Sequence, residues 1–234
     1  MAPAGLLAGL VPACAAVAES FGEPAAADLF PAEARAMSGA GEKRRREFAA
    51  VRHCARLALA ELGVAPTAVP PDVEAAEPWA RRAPVWPPGM TGSMTHCDGY
   101  RAAVAARREQ LPAVGVDAEP HRPLPAGVLA RIALEEERAM LDALARGRGD
   151  VAWDRLLFSA KESVFKAWFP LAQRWLGFEE CRVDLATDGS VRAELRIPGP
   201  TVDGARLSVF RGRWRVLPTH VATVIAVPRA PTGS

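Results

Sequence analysis

Lysine is scarce in this chain: of 29 basic residues only three are Lys (Lys43, Lys161 and Lys166), and the other 26 are Arg. Asn is absent, Ile occurs three times and Tyr once, beside abundant Ala, Pro, Gly and Arg. In such a composition Arg fills most surface positions that either cation would serve. A retained Lys is therefore a candidate for chemistry that needs an ammonium. Cysteine is also sparse. Cys14, Cys54, Cys97 and Cys181 are widely spaced and form no CxxC, which excludes a disulfide framework and points to reduced thiols. The adjacent pairs His53-Cys54 and His96-Cys97 lack zinc-ligand spacing, because neighbouring side chains point in different directions.

Long apolar runs are missing too. The first twenty residues are apolar and small, but Pro12 interrupts them and no basic residue precedes Arg35. That excludes the positive start of a signal peptide and the length of a membrane span. A buried strand and turn is the expected reading, and the cytoplasm the expected compartment. No GxGxxG, Walker A or GxSxG motif occurs, which argues against Rossmann, P-loop and nucleophile-elbow chemistry.

What is present is ordinary for a globular protein: 234 residues, 50% hydrophobic, 24% charged, net charge +2. Residues 28–62 read as helical, with Phe48, Val51, Ala55, Leu59 and Leu62 at three- and four-residue steps. A Pro-rich loop follows over residues 66–88. Residues 92–96 and 100–106 read as a hairpin around Cys97-Asp98-Gly99. Residues 113–119 alternate as a strand, and residues 127–146 and 153–169 read as helices. The end of the chain reads as strands over 181–185, 191–197, 205–216 and 220–227. The order is α+β, with a boundary near residue 110 separating halves 1–110 and 111–234.

Four clusters carry candidate chemistry. Asp117 and Glu119 leave one face of a strand, opposite apolar Val114, Val116 and Ala118. Paired carboxylates repel unless a cation or proton lies between them, and hard oxygen ligands suit Mg²⁺. The competing reading is an exposed pair at a strand end before Pro120. The stretch FSAKESVFKAWFP (158–170) sets Lys161, Glu162 and Lys166 beside a wide apolar stripe. Glu162 and Lys166 have the favourable i,i+4 order, and a solvated ion pair is the plainer reading.

Residues 35–56 carry net charge +5, with Arg44, Arg52 and Arg56 near one azimuth. Such a strip suits a polyanion, whether nucleic acid or a multiply phosphorylated small molecule, and a solvated helix face competes. Only Phe48 supplies an aromatic there, too few for stacked bases. Finally, Ser93, Thr95 and His96 precede a Gly turn and could cradle a phosphate.

Together these motifs resemble the Sfp/EntD-like (type II) phosphopantetheinyl transferases, and most of all the actinobacterial enzymes that prime fatty-acid and polyketide carrier proteins. The matching stretches are KRRREFAAVRHCAR (43–56), WPPGMTGSMTHCDGYRAAV (86–104), VGVDAEPH (114–121) and WDRLLFSAKESVFKAWFPLAQRWLGF (153–178). The resemblance implies two similar α/β halves in a pseudo-twofold arrangement with coenzyme A between them. It implies transfer of 4′-phosphopantetheine from coenzyme A to a Ser of an apo carrier protein, releasing adenosine 3′,5′-bisphosphate. The partners it implies are acyl- and peptidyl-carrier proteins of fatty-acid, polyketide and nonribosomal peptide synthases.

Carried over by residue, Asp117, Glu119 and Glu162 would hold Mg²⁺ (Mn²⁺ accepts the same ligands), with the Ala118 carbonyl a further ligand. Thr95 and His96 would contact coenzyme A phosphates. Arg44 and Arg52 would grip the 3′-phosphate and adenine end. Lys166 would stabilise the pyrophosphate and leaving group, with Lys161 beside it. Phe165 and Trp175 would line the pantetheine channel. Glu162, directly or through a water, would take the Ser proton. Relatives place a basic residue and a Gly-rich turn before the Trp-Pro segment; EPWARRAPVWP here has no Gly, and Arg81 or Arg82 would substitute. With both halves in one chain, a monomer is expected, with neither membrane nor nucleic acid as partner. Two readings compete: another Mg²⁺-dependent phosphoryl or nucleotidyl transferase, and a binder of coenzyme A or nucleic acid without transferase activity.

Overall fold

The computed structural model describes residues 5–23 and 27–229. The start of the expected N-terminal strand and turn, residues 1–4, lies outside them. The first strand is β1 (Ala15–Phe21), followed by the short helix α1 (Pro31–Ala36) and the 20-residue helix α2 (Glu42–Glu61). The single helix expected over 28–62 is thus two. Ser38-Gly39-Ala40-Gly41 supplies two glycines that favour a break, and Gly41 takes the extended conformation that opens α2.

Strands β2 (Met90–Cys97) and β3 (Tyr100–Arg107) form the expected hairpin. Only Asp98 and Gly99 form its turn, because Gly99 accepts the left-handed φ of +72° that a tight hairpin needs. With β1 they make an antiparallel sheet in the order β1-β3-β2. Small residues Ala16, Ala103 and Ala105 let α2 lie close, through Cys54, Ala55, Ala58 and Leu59. The class is α+β, as expected.

The remaining strands build a second antiparallel sheet. They are β4 (Ala113–Pro120), β5 (Cys181–Leu185), β6 (Ser190–Leu195), a small hairpin β7 (Thr201–Val202) and β8 (Ala205–Arg206), then β9 (Val209–Val216) and β10 (His220–Val227). The order is β4-β10-β9-β6-β5, with β7-β8 apart. The strand expected over 205–216 is interrupted at Leu207-Ser208. Helices α3 (Val128–Ile132), α4 (Glu135–Gly147) and the 20-residue α5 (Trp153–Ala172) lie between β4 and β5. Among the described residues no helix is long and apolar enough to cross a membrane.

Two contacts fix where a site can form. First, β2 and β4 are edge strands that meet side by side. Val116 N–H donates to Ser93 Oγ at 3.0 Å, and Ala118 N–H to Thr95 Oγ1 at 3.0 Å. Two steps along β2 match two steps along β4, so these strands run parallel, joined by hydroxyls rather than by a backbone ladder. The apolar faces of both sheets meet behind this seam, with Tyr100 and Val104 in one cluster with Val116 and Val224. Second, α5 presses directly on β4 at Gly115. A Cβ there would lie 1.9 Å from the Ser163 carbonyl oxygen. Only Gly permits this approach, and it brings Glu162 and Lys166, on either side of Ser163 in sequence, close to Asp117.

Candidate active site

A cavity of about 810 Å³ opens between α2, the Pro-rich loop, β2 and α5. Two groups of side chains stand out on its wall: Arg44, Arg52, His96 and Lys166, whose charges act on one another, and Phe165, Phe169, Trp79 and Trp175, whose rings touch. Glu162 also lines it.

The cationic group is crowded. Arg52 is buried; its Nε donates to the Val69 carbonyl at 2.9 Å and its guanidinium lies 3.8 Å from the Phe48 ring centre. Burial pulls its pKa down to about 10, and Arg44 and Arg56 pull in the same direction against the opposing charge of Glu33. His96 is held below its ordinary value by burial, and then by the neighbouring charges of Arg44, Lys166 and Arg52 against Glu47. Cations that depress one another are relieved by an anion between them.

Arg56 leaves the expected basic strip. Its Nη1 pairs with fully buried Glu33 at 3.0 Å and its Nη2 donates to the Asp28 carbonyl at 2.7 Å. Arg46 pairs with Glu42, and Lys43 lies 4.0 Å from Glu47. Of the cations of this helix, Arg44 and Arg52 line the cavity.

The carboxylates follow from the register. Lys166 Nζ donates to Asp117 Oδ1 at 2.8 Å and to the Val116 carbonyl at 3.0 Å. The expected i,i+4 bond from Glu162 to Lys166 does not form, because the ammonium turns across to β4. The Glu162 carboxylate carries no hydrogen bond among the described residues. Burial pushes its pKa up, Lys166 opposes this, and Asp117 adds to it. Glu119 is likewise raised by burial and by Asp117, against the pull of Arg155, whose Nη1 lies 2.9 Å from Glu119 Oε2.

The donor set fits a hard divalent cation. Asp117 is buried, and its Oδ2 is one of three buried side-chain polar atoms without a partner among the described residues. The Ala118 N–H faces the seam with β2, so its carbonyl, on the same edge of the strand, faces there too. All these donors are oxygens, which suit a hard cation, while Lys166 and Arg155 already offset the charges of Asp117 and Glu119. Among the described residues no three His, Cys, Asp or Glu side chains already converge on one point, since Glu119 is turned toward Arg155.

Two of the expected contact residues are engaged within the protein. Lys161 lines the cavity, but its side chain is 2% exposed, and its ammonium pairs with Glu137 at 2.9 Å and donates to the carbonyls of Phe178 and Cys181 at 2.7 and 3.0 Å. Three partners satisfy its three N–H bonds. It ties α5 to α4 and β5. Thr95 is buried, and its hydroxyl is occupied by Ala118 N–H, with Asp117 Oδ1 at 3.4 Å. It joins β2 to β4, and the neighbouring His96 lines the cavity.

Other residues escaped sequence reasoning. Glu33 and Glu137 each sit three residues after the start of a helix and accept the Phe30 and Leu134 N–H groups. That reach-back is a readable signal, although burial of their second role is not. Trp86 lies against Gly92, where a Cβ would come within 2.5 Å of its ring, and its Nε1 is a buried donor on the cavity wall without a partner among the described residues. Arg81 and Arg82 both line the cavity, on a short 3₁₀ turn that also carries Ala80.

Comparison with known proteins identifies the family. The family model described as "4'-phosphopantetheinyl transferase N-terminal domain" matches residues 32–106, and that of the "4'-phosphopantetheinyl transferase superfamily" matches 113–217. The chain is 47% identical to 4'-phosphopantetheinyl transferase Svp of Streptomyces mobaraensis, over 98% of this chain and 92% of that one. It is 43% identical to PptT of Mycobacterium tuberculosis, over 95% and 98%, and 43% identical to Npt of Nocardia iowensis, over 93% and 97%. All three are named as 4'-phosphopantetheinyl transferases. The chain belongs to the 4'-phosphopantetheinyl transferase superfamily, enzymes that move phosphopantetheine from coenzyme A to carrier proteins.

Proposed function

We propose that this chain transfers 4′-phosphopantetheine from coenzyme A to a Ser of apo acyl- and peptidyl-carrier proteins of fatty-acid, polyketide and nonribosomal peptide synthases, releasing adenosine 3′,5′-bisphosphate with Mg²⁺ bound. One observation carries this reading: a single cavity lined by a cationic group, an aromatic group and the Glu162 carboxylate. Coenzyme A has matching parts: phosphates at one end and a neutral arm at the other.

Arg44 and Arg52 grip the 3′-phosphate, and His96 and Lys166 meet the pyrophosphate. Phe165 and Trp175 flank the pantetheine arm. Asp117, Glu119, Glu162 and the Ala118 carbonyl would hold a divalent cation once Glu119 turns from Arg155, and the cation would supply charge neutralisation to the pyrophosphate. Phosphoryl-type transfer needs alignment and charge neutralisation more than a covalent nucleophile. Glu162 takes the proton from the attacking Ser hydroxyl, directly or through a water. Lys166 compensates the charge left on the departing bisphosphate.

Four free thiols fit a reducing compartment, the cytoplasm. One copy carries both groups of the cavity wall, which supports a monomer. The test is release of adenosine 3′,5′-bisphosphate when coenzyme A, Mg²⁺ and an apo carrier protein are combined. Release must depend on the carrier and stop on chelation of divalent cations. Release without a carrier, or none with any carrier, would contradict the reading.

A further inference from the structure

The two carboxylates of β4 are engaged differently by α5. Lys166 takes Asp117 Oδ1 at 2.8 Å, and Oδ2 is left without a partner among the described residues. Glu119 Oε2 instead accepts from Arg155 Nη1 at 2.9 Å, and the side chains of this pair are only 12% and 20% exposed for Arg155 and Glu119. Solvent and salt screen a partly buried pair of this kind much less than a surface one.

Arg155 cannot follow Glu119 if the carboxylate turns. It stands in the first turn of α5, and its two other nitrogens bind the loop that leaves β4. Nε donates to the Arg122 carbonyl at 3.1 Å and Nη2 to the Pro123 carbonyl at 3.0 Å. The start of α5 holds that loop twice more. Leu124 N–H donates to Asp154 Oδ2 at 2.8 Å, and Ala152 N–H to His121 Nε2 at 3.2 Å. A guanidinium presents its donors in a rigid fork, so three partners on three nitrogens fix its place. Glu119 is the member of the pair that can move. A cation that recruits its carboxylate must break this bond and leave the guanidinium behind.

We infer that Arg155 is a positioning residue that acts through Glu119: it competes with the divalent cation for this carboxylate and so sets how tightly the protein holds the cation. The inference rests on the proposed function, in which Asp117, Glu119 and Glu162 are the ligands. Its sign is the reverse of a supporting role. Removing a group that merely props up a site weakens binding, whereas removing a competitor strengthens it. Mg²⁺ commonly takes one or two carboxylates together with substrate phosphates. Restraint of Glu119 therefore favours loading of the cation together with the pyrophosphate of coenzyme A rather than ahead of it.

The test titrates Mn²⁺, which accepts the same oxygen ligands, into the metal-stripped full chain without coenzyme A or carrier protein. Free Mn²⁺ is read by electron paramagnetic resonance, at a pH where the carboxylates are ionised. Arg155→Gln is expected to bind Mn²⁺ at least about tenfold tighter than wild type, the lower end for a hydrogen bond between charged groups. In a Glu119→Gln background the same change is expected to move the affinity by less than about threefold, because the carboxylate competed for is gone. Arg155→Met, which keeps the apolar stem, serves if the Gln variant does not fold, with thermal unfolding as the check. Equal or weaker binding by the Arg155 variant, the same gain in both backgrounds, or binding by neither protein overturns the inference. Transfer to an apo carrier protein by wild type is a separate measurement: its absence would contradict the proposed function and leave the Mn²⁺ result standing.

Discussion

Lys166 Nζ and Asp117 Oδ1 lie 2.8 Å apart, linking the middle of α5 to the strand that carries the carboxylates. The same ammonium holds the Val116 carbonyl, so one compact cation is shared between backbone and side chain at a seam with little room. A planar guanidinium cannot make both bonds from that position. Lys166→Arg keeps the charge, and kcat is expected to fall by about 10²-fold, the loss typical for one misplaced group that stabilises developing charge. Steady-state kinetics with saturating coenzyme A checks this; near-normal turnover would show that charge alone suffices.

Glu162 has no hydrogen-bond partner among the described residues and faces the cavity. Glu162→Gln removes the proton acceptor and one anionic ligand while keeping the shape. Transfer is expected to drop at least about 10³-fold, within the usual contribution of a general base. Titration calorimetry should find coenzyme A affinity within several-fold of wild type. Turnover within tenfold of wild type would remove Glu162 from the proton transfer.

Arg44 and Arg52 are assigned to the 3′-phosphate. Arg44→Ala is expected to raise KM for coenzyme A at least tenfold, roughly the strength of one charge-assisted hydrogen bond, while leaving KM for 3′-dephospho-coenzyme A little changed. Lys43→Arg, in a side chain that is 86% exposed, is expected to change neither constant. Equal losses with both donors would place Arg44 elsewhere on the ligand.

Lys161 makes the opposite prediction. Lys161→Met leaves Glu137 as an unpaired carboxylate with no exposure, which is expected to cost about 3–5 kcal/mol. Denaturant unfolding would report this, and Lys161→Met combined with Glu137→Gln should recover part of it. Coenzyme A affinity of the folded single variant should stay near wild type. A selective loss of affinity without loss of stability would return Lys161 to the ligand.

Much of the site was legible because its spacing is local. The alternation of residues 113–119 shows that Asp117 and Glu119 share a face, and the Asp98-Gly99 step marks the hairpin. What was not legible depends on partners distant in sequence. The pattern around Lys161 looks like that around Lys166. Only the approach of Glu137, with the carbonyls of Phe178 and Cys181, separates the fully engaged ammonium of Lys161 from that of Lys166. Likewise Arg56 matches Arg52 in azimuth, until Glu33 takes it. The Gly115 contact with Ser163 explains why a Gly precedes the carboxylates, yet nothing in the strand pattern names the helix that presses there. Trp79 lies in a Pro-rich loop with no periodicity, so its place in the aromatic group had no sequence signal.

The intact mass of an apo carrier protein, after incubation with this chain, coenzyme A and Mg²⁺, tests the central claim most directly. The expected result is a single gain of about 340 Da, the mass of one phosphopantetheine carried over from the coenzyme. The gain should be lost when the carrier's acceptor Ser is replaced by Ala. An unchanged carrier mass, while coenzyme A still binds the cavity, would contradict it and leave a binding protein without transferase activity.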